Sequence, residues 1–233
     1  MADPDQAVAF FAYQSLLEST LQGGPDPELA KILGEALTAQ SAGGARGAAS
    51  FRNNAFLAAA AQQRTEPLHP APVRNNLARL LGYLPVEESV APLSKALQDL
   101  DAREMARQSL ERHPSPRATA ALIEALNYPG PVFCAGIISS LAARGGPQSL
   151  AAIRKASEDP QEEIRAAAIM ALAAFPDPSL DAILERHNAH IARVRLAETL
   201  RAAGNKPAAD RIYKSILASN APDPQKKAAR LAL

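Results

Sequence analysis

The stretch that decides the fold spans residues 163–172 and reads EIRAAAIMAL. An aliphatic residue is followed by an arginine, then by alanines, and the stretch ends on a leucine. Alanine is the best helix former and lets neighbouring helices approach closely. We therefore expect a helix whose small residues lie where it contacts its neighbours.

The same pattern recurs along most of the chain. If its aliphatic residue is taken as the start, successive starts lie 29, 31, 31, 28 and 33 residues apart. The starts are Val73-Arg74, Ala102-Arg103, Phe133-Cys134, Ile164-Arg165, Ala192-Arg193 and Gln225-Lys226. The ninth residue of each segment is always a leucine: Leu81, Leu110, Leu141, Leu172, Leu200 and Leu233. A fixed period of this length is typical of repeat architectures, so each segment is predicted to be the second helix of a repeated pair.

The first helix of each pair is predicted from the apolar residues between these segments. Val90, Leu93 and Leu97 have the spacing of one helical face, and similar groups follow in the later repeats. Proline-containing stretches such as residues 114–116 and 176–178 separate the helices.

The repeats between about residue 71 and residue 203 resemble the HEAT or HEAT-like family, one version of which occurs in phycobilin lyases. In that family the arginine after the aliphatic residue commonly pairs with an aspartate of a neighbouring turn. The resemblance implies a structural ladder formed by Arg74, Arg103, Arg165 and Arg193, with Asp99, Asp101, Asp159 and Asp177 as counterparts. Cys134 and Lys226 stand where the pattern has arginine.

The C-terminal part also resembles a tetratricopeptide repeat over residues 192–224. The matching positions are Ala197, Leu200, Gly204, Ala209, Tyr213 and Pro222. Both families consist of stacked helix pairs, and this second resemblance favours protein binding at the C-terminal end.

We predict an all-α fold, a right-handed α-α superhelix of the HEAT-like solenoid type with about seven helix pairs. It is predicted to be a single domain over residues 1–233. Within it, residues 1–47 form N-terminal cap helices, residues 48–191 form HEAT-like repeats, and residues 192–233 form HEAT- or tetratricopeptide-like repeats. Residues 5–21, 27–40 and 48–63 are each expected to be helical. Because the helical pattern continues to Leu233, the chain is expected to be part of a longer protein.

Composition narrows the classes of function. Aromatic residues are 4% of the chain and tryptophan is absent, while the net charge is only +1. The first thirty residues carry acidic side chains and no Lys or Arg, whereas ten Lys or Arg lie between Arg186 and the end. No signal peptide and no segment of 18 unbroken apolar residues is visible, so the chain is expected to be soluble, in the cytoplasm or in an exported compartment.

The sequence contains no clear metal site and no clear catalytic nucleophile. His187 and His190 could share a helical face, but no third ligand lies near them, so surface histidines are the favoured interpretation. Cys134 lies in an apolar stretch without a neighbouring histidine and is expected to be a small buried thiol. We predict no catalytic residue, no metal and no cofactor.

The favoured function is a non-enzymatic scaffold whose concave face, lined by the second helices, binds a protein or peptide, in particular an acidic one. The candidate partner-binding residues are Arg195, Arg201, Lys206, Arg211 and Lys214. Arg195 and Arg201 lie outside the ladder position and are expected to be exposed.

Two alternatives stay open. A groove of the phycobilin-lyase type would hold a tetrapyrrole, with Tyr83, Tyr128 and Phe133 as the nearest aromatic candidates. Nucleic-acid binding would use the basic C-terminal end, but the near-neutral charge and the lack of tryptophan disfavour it.

Overall fold

A computed structural model describes residues 14, 17–18, 20–38, 40–41, 66–67 and 71–233. The predicted helix over residues 48–63 lies outside the described residues. The helices whose bounds the structure describes are α1 (Pro27–Thr38), α2 (Ala71–Gly82), α3 (Val90–Ala96), α4 (Arg103–Arg112), α5 (Pro116–Ala125), α6 (Pro131–Arg144), α7 (Gly146–Ala156), α8 (Glu162–Leu172), α9 (Leu180–Arg186), α10 (His190–Ala202), α11 (Lys206–Ala218) and α12 (Asp223–Ala232). A 3₁₀ turn (Glu87–Ser89) precedes α3, and β1 (Gln40–Ser41) pairs antiparallel with β2 (Glu66–Pro67).

The chain divides into two compact units, an N-terminal unit (Met1–Ala118) and a C-terminal unit (Thr119–Leu233). In the C-terminal unit the second helices α6, α8, α10 and α12 contact one another in succession. The first helices α7, α9 and α11 each pack against the second helix that follows. This arrangement is the predicted stack of helix pairs, and the all-α fold of HEAT-like type is confirmed. The predicted domain boundaries stay a prediction.

The repeat phase identifies the buried face of each second helix. The starting residue, the fifth and the ninth lie on one helical face, and in α8 these are Ile164, Ala168 and Leu172, which are 5%, 0% and 0% exposed. The same three positions are buried in α6 and α10 as well. Because α8 contacts α6, α7, α9 and α10, the alanine at the fifth position lets helices pack closely on several sides.

The N-terminal unit relies on close approach between its second helices. α2 packs against α4, and a Cβ added to Gly82 would lie 2.8 Å from Cβ of Ser109. Ser109 Oγ donates a hydrogen bond to the carbonyl oxygen of Ala78 at 2.9 Å, which ties the two helices together. Only glycine fits at position 82 without displacing α4.

A buried histidine connects two elements of the same unit through hydrogen bonds. His113 is 3% exposed, and its Nδ1 accepts a hydrogen bond from the backbone N–H of Ser115 at 3.1 Å. Its Nε2 therefore carries the proton in the neutral ring, and it lies 2.9 Å from Ser89 Oγ and 3.1 Å from the Val86 carbonyl oxygen. The imidazole thus links the end of α4 to the turn before α3.

Replacing Ala168 by leucine is expected to lower the free energy of unfolding by about 1–3 kcal/mol, because the added atoms have no space at a fully buried contact. Ala166 is exposed on the same helix, so Ala166→Leu is the matched control and should change stability little. Urea unfolding followed by circular dichroism measures both. Equal stability of Ala168→Leu and the parent protein would contradict the assigned repeat phase.

Candidate partner-binding surface

Arg74 shows how the buried side of the repeats uses charge. Its side chain is 6% exposed and donates from Nε to Asp99 Oδ2 at 2.6 Å and from Nη2 to Asp101 Oδ2 at 3.0 Å. Both aspartates lie in the turn between α3 and α4, so a second helix is tied to the turn of the next pair. Burial opposes ionisation of Asp99, but the hydrogen bonds from Arg74 and from the Asp101 backbone outweigh it and lower the pKa of Asp99.

Arg193 occupies the same position of its repeat and is 0% exposed. It donates to both carboxylate oxygens of Asp181, at 2.7 and 3.0 Å, and to Ser215 Oγ at 2.9 Å. Its Nη1 also lies 3.0 Å from Glu185 Oε1. The guanidinium therefore joins α9, α10 and α11, with Asp181 in place of Asp177 as its aspartate.

The other two ladder arginines differ from these. Arg165 donates from Nη1 to the carbonyl oxygens of Asp159 and Pro160, at 2.7 and 3.2 Å, and not to a carboxylate of another repeat. Arg103 is half-buried at the start of α4, and its backbone N–H donates to the Asp99 carbonyl oxygen at 2.7 Å. Position alone does not decide how each arginine is paired.

Two pairings near this position were not anticipated from the sequence. Arg154 on α7 donates to Asp177 Oδ2 at 2.6 Å and to Ser179 Oγ at 2.9 Å, and so takes the aspartate expected to serve the ladder. Cys134 is buried, and its Sγ lies 3.5 and 3.4 Å from the carbonyl oxygens of Leu126 and Tyr128. The thiol therefore contacts carbonyls of the preceding turn, as Arg165 does two helices later.

The five candidate partner-binding residues lie on α10 and α11. Arg195, Lys206, Arg211 and Lys214 are exposed. Arg201 differs from the expectation: its side chain is 36% exposed, Nη2 lies 3.1 Å from Asp210 Oδ1, and its guanidinium carbon lies 5.1 Å from the Tyr213 ring centre. Arg201 is thus held at the α10–α11 contact, and its part in binding a partner stays a prediction.

Three of the remaining four, Arg195, Arg211 and Lys214, do not form one patch. On α10 the buried residues include Arg193, Leu196 and Leu200, and Arg195 lies on the face away from them. On α11 the buried residues include Ile212 and Ile216, and Arg211 and Lys214 lie on the face away from those. Because the two helices pack through their buried faces, the side chain of Arg195 and those of Arg211 and Lys214 project from opposite sides of the helix pair.

The outward faces of the second helices carry small, apolar and charged side chains. On α6 the exposed residues are Val132, Ser139 and Ala143, and Val132 is 82% exposed. On α8 they are Glu162, Glu163 and Ala166, and on α10 they include Ile191, which is 52% exposed, followed one turn later by Arg195. All these residues lie in the C-terminal unit, and the helices that carry them contact one another in succession.

A groove of about 270 Å³ opens on this layer of helices. Its walls are Met170 of α8, residues 188–191 at the start of α10, and Pro222 and Gln225 at the start of α12. Asn188 adopts a left-handed backbone conformation with φ of 52°, which turns the chain from α9 into α10 and places His190 and Ile191 at the groove. Sequence reasoning missed the groove, because its walls come from three repeats.

In the described part of the chain, no group of three or more His, Cys, Asp or Glu side chains could hold a metal ion, and no helix there is long and apolar enough to cross a membrane. His187 Nε2 lies 3.9 Å from Glu158 Oε1, and Glu158 also pairs with Arg186. Of the aromatic residues considered for a tetrapyrrole, Phe133 is 5% exposed, Tyr83 belongs to the N-terminal unit and Tyr128 to the C-terminal unit.

The helix pairs and their buried faces define a helical-repeat protein. Residues 131–202, which comprise α6 to α10, match the family model of HEAT repeats, the family that the sequence pattern resembles. No curated protein matches the chain. Among solved structures, the complex of CpcE and CpcF of phycocyanin lyase from Nostoc sp. PCC7120 contains a chain similar to this one, with 20% sequence identity and a TM-score of 0.46. The alignment covers 100% of this chain and 96% of that chain.

Replacing Arg193 by methionine is expected to lower the free energy of unfolding by about 3–5 kcal/mol, because Asp181 and Glu185 then lose their shared cation in a partly buried site. Arg195→Met, two residues away and exposed, is the matched control and should change stability little. Chemical unfolding in urea measures both variants. A similar small effect for Arg193→Met would contradict the structural role of this ion cluster.

Replacing Asp99 by asparagine tests the pKa shift directly. Since the pKa of Asp99 is lowered by folding, its charge stabilises the protein above the pKa of the unfolded chain, and this stabilisation is lost as the pH falls through the folded pKa. The variant should be less stable by about 1–3 kcal/mol at pH 7. The difference should shrink below about pH 4, where the unfolded carboxyl group takes up its proton. A difference that stays constant from pH 7 to pH 3 would contradict the assignment.

Proposed function

We propose that this chain is a helical-repeat scaffold without catalytic activity that binds another protein through the outward faces of α6, α8, α10 and α12. The observation that supports the proposal is the difference between the buried and the exposed face of these helices. Their inward faces are buried by packing, whereas their outward faces are exposed and carry apolar Val132 and Ile191 beside small side chains such as Ala166 and charged ones such as Arg195. A surface of this kind permits a partner backbone to approach closely, and exposed apolar side chains provide area to bury.

The alternatives have less support in the geometry. Nucleic-acid binding needs a concentrated basic surface, but Arg193 is buried, Arg201 is paired with Asp210, and Arg195 lies opposite the basic residues of α11. For a tetrapyrrole groove, one of the three aromatic candidates, Phe133, is buried in α6. Protein binding accounts for the exposed apolar residues without requiring either arrangement.

Photo-crosslinking tests this proposal with a matched pair of positions. Ala166 on α8 and Ala151 on α7 are both exposed alanines on adjacent helices, one on a second helix and one on a first helix. A photoreactive benzoylphenylalanine placed at position 166 should cross-link to a discrete protein, identified by mass spectrometry, whereas position 151 should not. The identified protein, once purified, should bind the unmodified chain in solution.

The following results would contradict the proposed function. Cross-links that form equally at positions 151 and 166, or none at either, would contradict binding through the second helices. Tight binding of duplex DNA at physiological salt, or a red-shifted absorbance band on mixing with a tetrapyrrole, would favour the respective alternative function.

A further inference from the structure

The groove between α8, α10 and α12 has the properties of a docking site for one apolar side chain. Four of its wall residues are apolar: Met170, Ala189, Ile191 and Pro222. Ile191 lies beside this groove of about 270 Å³, and 52% of its surface is exposed. Covering this side chain would remove apolar surface from water, which favours association.

The charges around the groove select the kind of partner. Arg195 is exposed and follows Ile191 by four residues, so both side chains lie on the same face of α10 one turn apart. Lys226 follows the wall residue Gln225 on α12. No ion pair involves either residue in the part of the chain that the structure describes.

The start of α10 adds to the positive character of the groove. No side chain caps this helix of 13 residues, so the N–H groups of its first turn carry partial positive charge at the groove. His190 Nδ1 is shielded from solvent and has no hydrogen-bond partner among the described residues. Two acidic side chains limit the positive region: Glu198 lies further along α10, and Asp223 lies next to Pro222.

From the apolar walls and these charges together, we propose that the groove binds an acidic segment of a partner protein in which an aliphatic side chain is flanked by Asp or Glu. The aliphatic side chain fills the space between Met170 and Ile191, and a neighbouring carboxylate pairs with Arg195. This proposal rests on the proposed function and specifies its site. It also replaces the five-residue basic patch with Arg195 as the principal charged contact.

The probe for this proposal is a phage-displayed library of random 12-residue peptides, selected against the complete chain. Enriched peptides should share a Leu, Ile or Met flanked by acidic residues. Their dissociation constants are then measured by fluorescence anisotropy at physiological salt. Peptides that share a basic or purely aromatic pattern would overturn the proposal, as would a selection that enriches nothing.

Matched variants locate the binding site. Ile191→Ser and Arg195→Glu should each weaken binding of the enriched peptides at least tenfold. Lys214→Glu changes an exposed positive charge on the opposite side of the α10–α11 contact, and Leu100→Ser changes an exposed leucine of the N-terminal unit that is 74% exposed. Both controls should alter binding less than twofold, because neither residue lines the groove.

The possible results separate this inference from the proposed function. If peptides bind but Ile191→Ser and Arg195→Glu bind as well as the parent chain, the groove is not the site, although protein binding by the second helices stands if position 166 still cross-links. If nothing is enriched and position 166 gives no cross-link, both proposals fail. All four variants change exposed side chains, so unchanged thermal melting curves should accompany the binding data.

Discussion

The close packing of the second helices through one buried face is the constraint on which the C-terminal unit depends. The fifth position of the repeat is fully buried in α6, α8, α10 and α12, where it is Ile137, Ala168, Leu196 and Ala229. In α8, which contacts four other helices, this residue is an alanine, and a larger side chain there would push those helices apart. One face of each second helix is thereby buried in the stack, and the opposite face is left exposed.

Charged side chains have two roles in our account: buried ones stabilise the helix packing, and exposed ones are available to bind a partner. Arg193 is surrounded by Asp181, Glu185 and Ser215, so its guanidinium group holds α9, α10 and α11 together. Arg195 lies only two residues further along, yet on a helix this turns its side chain to the outward face. The same helix can therefore stabilise the fold with one arginine and present another to a partner.

The repeat period made the fold predictable, because packing between helices leaves a periodic record in the sequence. Ile164, Ala168 and Leu172 could be assigned to a buried face from spacing alone. The ion pairs were less predictable, since the partner of an arginine depends on helix rotation and turn geometry. Asp177 pairs with Arg154 of α7, and Arg193 turns to Asp181. The groove was not predictable at all, because Met170, Ile191 and Gln225 are brought together only by stacking.

Hydrogen–deuterium exchange of the chain, with and without an enriched acidic peptide, tests the central claim most directly. The account predicts slower amide exchange on binding in α8, in the first turns of α10 and α12, and in the turn from Asn188 to His190. Exchange in the first helices α7, α9 and α11 should stay unchanged. Protection confined to α11, where Arg211 and Lys214 are exposed, would contradict binding through the outward faces of the second helices.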